Sequence, residues 1–262
     1  MELSKKQISD FKDLGYTFVQ NIFSSEEVRI MKSELPKIYS QKRDEIVYEK
    51  DVKTVRTAFA VHRWNRVFKL LSQHPRLVNP IKQLLGGNYY IHQWKLNKKA
   101  AFDGDVWQWH QDYGTWKNED GMPEGMALNV GIFLDDVNEF NGALNFIPKS
   151  HRDGYLHSDQ DTTTTSYPLW TLDDNTIKEL VNRGGIVSPK GSGGSVVFFD
   201  CNLVHGSPSN MSPWDRTIVY VSANHINNRI RFFKRPEYIA ERDFKPVTTL
   251  SDDCLLDEKH RK

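Results

Sequence analysis

The sequence predicts a mainly β protein with helices packed outside a sheet core. Three observations point there: helical patterning over the first 87 residues, a run of short β-rich segments after them, and no internal repeat. Leu3 to Leu14 carries apolar side chains at Leu3, Ile8, Phe11 and Leu14 and stops at Gly15, which predicts a first helix. Ser24-Ser25-Glu26-Glu27 opens a second with a Ser-x-x-Glu capping box, in which side chains satisfy the orphan amides of the first turn. Leu77 to Leu85 forms a third, ended by Gly86-Gly87. The texture then changes. Tyr89 to Leu96, Met126 to Leu134, Gly142 to Ile147, Ser195 to Asp200 and Arg216 to Ala223 are rich in β-branched and aromatic residues and bounded by Gly, Pro, Asn and Asp. Such a series suits a sandwich, a barrel or a jelly roll. Residues 1–262 read as one domain: a helical cover over 1–87, a β core over 88–235 and an insertion over 153–175. The polar stretch from Asp153 to Ser166 in that insertion, with four consecutive threonines, reads as mobile, and the charged tail from Glu237 as packing outside the core.

Composition removes several functions. A net charge of +1 with no block of like charge excludes a nucleic-acid or polybasic membrane surface. The longest apolar runs, such as Val196 to Phe199, are too short to span a bilayer. The N-terminus lacks the apolar core of a secretion signal, and Cys201 and Cys254 are too few for a disulfide framework. A cytoplasmic protein with a small-molecule partner, as a monomer or homodimer, is the expectation.

Chemistry concentrates at His110-Gln111-Asp112. In an extended segment residues i and i+2 share a face, so imidazole and carboxylate can converge on one metal ion. Two His and one carboxylate with open positions form the ligand set of non-haem Fe(II) oxygenases. Nine histidines give about one His-x-Asp triplet by chance, and there is a second, His157-Ser158-Asp159. Context separates them: His157 lies in the threonine-rich insertion, whereas Trp107, Trp109, Tyr113 and Trp116 surround His110 and can wall a dry cavity. The third ligand is open among His151, His205 and His225. His205 suits best, because it follows the strand Ser195 to Asp200 and precedes a glycine. Arg216, eleven residues on, can hold a carboxylate by a bidentate, charge-assisted pair.

His110-x-Asp112, the distal His205 and this arginine together resemble the phytanoyl-CoA dioxygenase family of Fe(II)/2-oxoglutarate oxygenases. Trp109 to Tyr113, Thr115-Trp116, Glu119 to Pro123, Asn141 to Leu144, Ile147 to His151 and Phe199 to Ser207 are similar to the ectoine hydroxylase group and to free amino-acid hydroxylases within it, over about residues 89–225. The resemblance implies a double-stranded β-helix, a cupin-like jelly roll, with Fe(II), 2-oxoglutarate and dioxygen as reactants. It implies that His110, Asp112 and His205 bind iron and that Arg216 binds the distal carboxylate of 2-oxoglutarate. Asn97, Ser207 and Trp107 match cosubstrate positions, and Gln93 and Trp116 match substrate positions. Lys95 stands where the ectoine enzymes carry arginine, and with Gln93 and Asn129 it is a candidate to orient substrate. A carboxylate at Asp112 favours hydroxylation over halogenation. The expected substrate is a small zwitterion, a free L-amino acid or derivative. Two alternatives stand beside it: a coenzyme A or carrier-protein thioester, for which Arg229, Arg231, Lys234 and Arg235 are the only basic groove, and a non-catalytic jelly-roll binding protein.

Overall fold

The computed structural model describes residues 1–257. Its centre is an antiparallel seven-stranded sheet in the order β1-β10-β6-β12-β4-β3-β2. The strands are β1 (Tyr16–Val19), β2 (Ile46–Tyr48), β3 (Val55–Phe59), β4 (Tyr89–Lys99), β6 (Ala127–Phe133), β10 (Val196–Asp200) and β12 (Arg216–His225). A second sheet, of β5 (Trp107–His110), β11 (His205–Ser207) and β7 (Asn145–Phe146), faces it. The two rows alternate in purpose. Trp94, Leu96, Val130, Ile132, Val196, Phe198, Val219 and Val221 point away from the small sheet into the largest apolar core. Against them pack α1 (Lys5–Leu14), α2 (Ser25–Tyr39), α4 (Arg66–Ser72) and α5 (Pro75–Leu85). The intervening residues Phe133, Val197, Phe199, Ile218 and Tyr220 face Leu144, Phe146 and Leu203 in a second core. Each fully buried large side chain contributes roughly 1.5–3 kcal/mol, so both faces of these strands are fixed in register. This double burial explains why the strands read as continuous apolar runs and not as alternating ones.

The three helices expected from sequence form where their caps place them. Ser4 and Gln7 make a capping box ahead of α1, and Ser24 and Glu27 make one ahead of α2. Gly15 ends α1 at φ 87°, where any side chain would also collide with His151 and Leu203.

The region 1–87 is not only a helical cover, because β1, β2 and β3 lie in it and extend the large sheet at both edges. β1 is four residues wedged between a helix cap and a turn, and β3 carries Arg56, whose charge masks a buried strand; Arg56 is paired there with Glu49. The insertion is structured as well. Asp159–Asp161 (β8) pairs with Leu169–Thr171 (β9), and Asp161 accepts from the amides of Thr163 and Thr164 to turn the threonine run. The helices α3 (Val61–Trp64), α6 (Asp112–Asp120) and α7 (Asp174–Gly184) complete the described chain. The tail returns over the helical side, where Cys254 and Leu255 enter the large core. No helix among the described residues is long and apolar enough to cross a membrane.

Candidate metal centre and active site

His110 closes β5 and Asp112 opens α6, with the extended Gln111 between them (φ −109°, ψ 132°). Gln111 turns the other way. Its amide donates to the carbonyls of Gly154 and Asn202 and accepts from Leu156, which pins the strand-to-helix corner. Across the small sheet, His205 is the direct partner of His110, and the two rings lie 4.1 Å apart. The third ligand left open by sequence is therefore His205. His151 sits beside α1 against the Lys12 carbonyl, and His225 packs under Gly87.

The geometry suits a metal. His110 Nε2 and His205 Nε2 lie 3.6 and 3.5 Å from the two Asp112 oxygens, and one ligand atom from each residue falls within 4.8 Å of the others. Ligands about 2.1 Å from an ion stand roughly 3–3.6 Å apart at open angles, so the spacing leaves room for one. His110 Nδ1–H donates to the Gln108 carbonyl at 2.7 Å and His205 Nδ1–H to that of Leu203 at 2.9 Å, which aims both Nε2 lone pairs inward. Burial and the neighbouring His110 push His205 down to about 3, so it is a neutral ligand. Burial pushes Asp112 up, but His205, His110 and the Lys95 ammonium outweigh it and hold the carboxylate below its usual range.

Asn129 reaches the same centre. Its amide donates to Asp112 Oδ2 at 2.7 Å, and Ser222 Oγ donates to its oxygen at 2.6 Å, so β6 and β12 together orient the ligand. Trp116, expected beside substrate, is instead packed in the core with Met122, Cys201 and Ile230, its indole against His92 at 5.0 Å. Gln93 donates to the Ile239 carbonyl.

The remaining sequence candidates do meet at one cavity, lined by Lys95, Asn97, Trp107, Leu144, Ser207 and Tyr220 beside the metal ligands. The Lys95 ammonium lies 5.7 Å from the Trp107 ring and 5.6 Å from that of Tyr220, so it points inward, not to solvent. Burial lowers its pKa and Asp112 opposes that. Deeper, Arg216 is 1% exposed and donates to the Gly142 carbonyl (2.7 Å) and Asn97 Oδ1 (3.4 Å). No carboxylate pairs with it among the described residues. Arg235 is the opposite case: Asp120 grips it with two hydrogen bonds of 2.8 and 2.5 Å. A buried guanidinium lacking an anion is costly.

Sequence reasoning missed Tyr220, Arg56 and Tyr167. Tyr220 could have been found, since it lies four residues from Arg216 on one strand and so shares its face. Arg56 stacks at 4.0 Å on Trp107, and Tyr167 reaches the same ring at 5.6 Å from the loop between β8 and β9; neither carries a local signal.

Two imidazoles and one carboxylate beside a cavity, one of whose lining residues, Asn97, accepts from the buried Arg216, form the ligand set of a non-haem iron oxygenase. The phytanoyl-CoA dioxygenase model matches residues 11–218, and the chain belongs to that family. It is 37% identical over 273 residues to the ectoine dioxygenase of Bordetella parapertussis, covering 97% of this chain and 88% of the relative. It is 31% identical over 251 residues to the L-proline trans-4-hydroxylase of Streptomyces griseoviridis, covering 92% and 94%. EctD from S. alaskensis, crystallised with 2-oxoglutarate and 5-hydroxyectoine, superposes with a TM-score of 0.83 at 32% identity, over 95% of this chain and 87% of that one. The protein is accordingly an enzyme, a 2-oxoglutarate-dependent dioxygenase with iron as its metal.

Proposed function

We propose that this enzyme hydroxylates an unactivated carbon of a small zwitterion, a free L-amino acid or close derivative. Iron with 2-oxoglutarate and dioxygen supplies decarboxylation of the cosubstrate to succinate, coupled to transfer of one oxygen atom into a C–H bond. His110, Asp112 and His205 hold the metal, with Asn129 orienting Asp112. Arg216, with Asn97 and Ser207, receives the distal carboxylate of 2-oxoglutarate, and Trp107 walls that site. Lys95 receives the substrate carboxylate, and Gln93 stands next on the same face of β4. The double-stranded β-helix, the single domain over 1–262, a cytoplasmic location and a monomeric or homodimeric state belong to the same proposal.

The observation that carries the substrate class is the inward Lys95 ammonium between two aromatic rings, in a cavity that also holds the metal ligands. A mobile point charge meets a carboxylate in more geometries than an arginine fork, which suits an acyclic amino acid. Relatives that act on ectoine and on L-proline support a compact zwitterion. The thioester alternative loses its groove, because Arg235 is committed to Asp120, while Arg229 and Lys234 lie over Phe244 and Phe232. The test is a panel of free amino acids, small zwitterions and acyl thioesters incubated with Fe(II), 2-oxoglutarate and air. The expected product is a zwitterion heavier by one oxygen atom with matching succinate; turnover with thioesters alone would overturn the proposal.

A further inference from the structure

Lys99 is the last residue of β4 and stands directly opposite Arg216 of β12 in the antiparallel ladder. Both are 1% exposed. Like charges directly opposed weaken a sheet, and here they are also removed from water. The anions nearby are already engaged. Glu49, after β2, pairs with Arg56 of β3; Asp135, after β6, accepts from the Thr217 amide and Lys32; Asp105, before β5, accepts from the Val106 amide. Lys99 Nζ donates only to the backbone carbonyls of Asp105 and Pro208, which leaves one of its three N–H groups without an acceptor among the described residues.

The same side chain shapes the walls around Arg216. Gly142 has φ 75°, and a Cβ there would lie 2.5 Å from Lys99 Cδ, so the lysine stem fills the place of a side chain. The Gly142 carbonyl in turn accepts from Arg216 Nη2. Pro208 follows Ser207 of β11, the strand that carries the ligand His205. Lys99 thus ties the Asp105 and Pro208 backbones to the Gly142 turn, whose carbonyl accepts from the buried guanidinium.

We infer that Lys99 is a positioning residue for cosubstrate binding, the second cation of a buried two-cation well that receives the distal carboxylate of 2-oxoglutarate. The inference rests on the assignment of Arg216 above. One anion placed against both cations replaces their repulsion with attraction, and the lysine clamps the Gly142 and Pro208 turns to the place where the anion sits. Burial, reinforced by Arg216 and Arg56 and opposed by Glu49 and Asp105, holds the Lys99 ammonium well below the ordinary lysine range. A dianion favours the protonated form, so cosubstrate affinity should fall as pH rises through the range in which Lys99 loses its proton.

The experiment measures 2-oxoglutarate binding by calorimetry under anaerobic conditions, with Fe(II) affinity measured separately. Lys99→Met keeps the stem and removes the charge; it should weaken 2-oxoglutarate about tenfold or more while leaving Fe(II) affinity unchanged. Lys99→Arg should recover most of that loss and abolish the alkaline fall in affinity, since a guanidinium does not deprotonate there. This second variant keeps the test decisive if Lys99→Met fails to fold. Unchanged 2-oxoglutarate affinity in Lys99→Met, or the same alkaline fall in wild type and Lys99→Arg, would overturn the inference. Arg216→Ala runs in parallel: weak cosubstrate binding there with normal binding in Lys99→Met defeats the role of Lys99 alone, whereas normal binding in Arg216→Ala defeats the Arg216 assignment itself.

Discussion

The chain contains the triplet His-x-Asp twice, and the two copies hold their side chains at nearly the same separation. His110 and Asp112 lie 3.6 Å apart, and His157 and Asp159 lie 3.7 Å apart. In the first pair the side chains are 6% and 13% exposed; in the second they are 88% and 89% exposed. His110 has its tautomer set by the Gln108 carbonyl, a third ligand delivered by the neighbouring strand, and a carboxylate held from behind by Asn129. His157 stands in a polar loop before β8 with none of these. A pair of ligands in sequence is thus only a pair. What makes a metal centre is the sheet that brings a third ligand from 95 residues away and the backbone that decides which nitrogen faces inward.

Breaking the first triplet should have the largest effect. His110→Ala, Asp112→Ala and His205→Ala should each abolish succinate formation, because two remaining ligands do not hold the metal in place. Under the same assay His157→Ala should retain wild-type activity, and any large loss there would reverse the contrast. Next comes Arg216→Ala. Losing the cation expected to pair with the cosubstrate costs about 3–5 kcal/mol, which corresponds to an increase of roughly 100-fold or more in the KM for 2-oxoglutarate. Iron binding should persist, and Arg216→Lys should rescue only partly.

Removing the support behind a ligand should cost less than removing the ligand. Asn129→Ala leaves Asp112 in place but unoriented, and metal affinity should fall about 10–100-fold, the range for partners that orient a metal ligand. A metal titration with normal affinity in Asn129→Ala would show that packing alone aims Asp112. Lys95→Ala should raise the KM for the zwitterionic substrate and leave the 2-oxoglutarate requirement unaltered.

The smallest effect lies outside the site. Burial, aided by Glu237 and Asp243 and opposed by Arg63, raises the Glu241 carboxyl from an ordinary value of 4.5 to about 7. A carboxyl whose folded pKa exceeds its unfolded one stabilises the fold only while protonated. That contribution is complete below about pH 4.5 and is lost as pH rises through 7. Glu241→Gln should therefore raise the melting temperature relative to wild type above pH 7 and change it little near pH 4.

Much of the centre was legible because its signals are local. His110 and Asp112 are two residues apart, aromatic residues surround them, and Arg216 opens a strong strand. His205 is favoured over His151 and His225 by its place between a strand and a glycine and by the family resemblance, and the pairing of β5 with β11, which no local pattern encodes, brings it beside His110. The contact of Asn129 with Asp112 and the packing of Trp116 against Met122, Cys201 and Ile230 carry no local signal. Strand periodicity shows which residues share a face, not which neighbour each will meet. The short strands β1 and β3 escaped for a related reason: tertiary pairing makes them strands, overriding a length and composition that read as turn and helix. The β8–β9 ribbon is polar on its surface, and only its packing over Trp107 through Tyr167 reveals it.

The most direct test of the contrast between the two triplets is an anaerobic titration of the metal-free protein with Fe(II) in the presence of 2-oxoglutarate, followed by visible absorbance. Wild type and His157→Ala should both bind one Fe(II) per chain and develop the same charge-transfer band, and His205→Ala should develop none. A band that survives in His205→Ala, or disappears in His157→Ala, would contradict a metal centre at His110, Asp112 and His205.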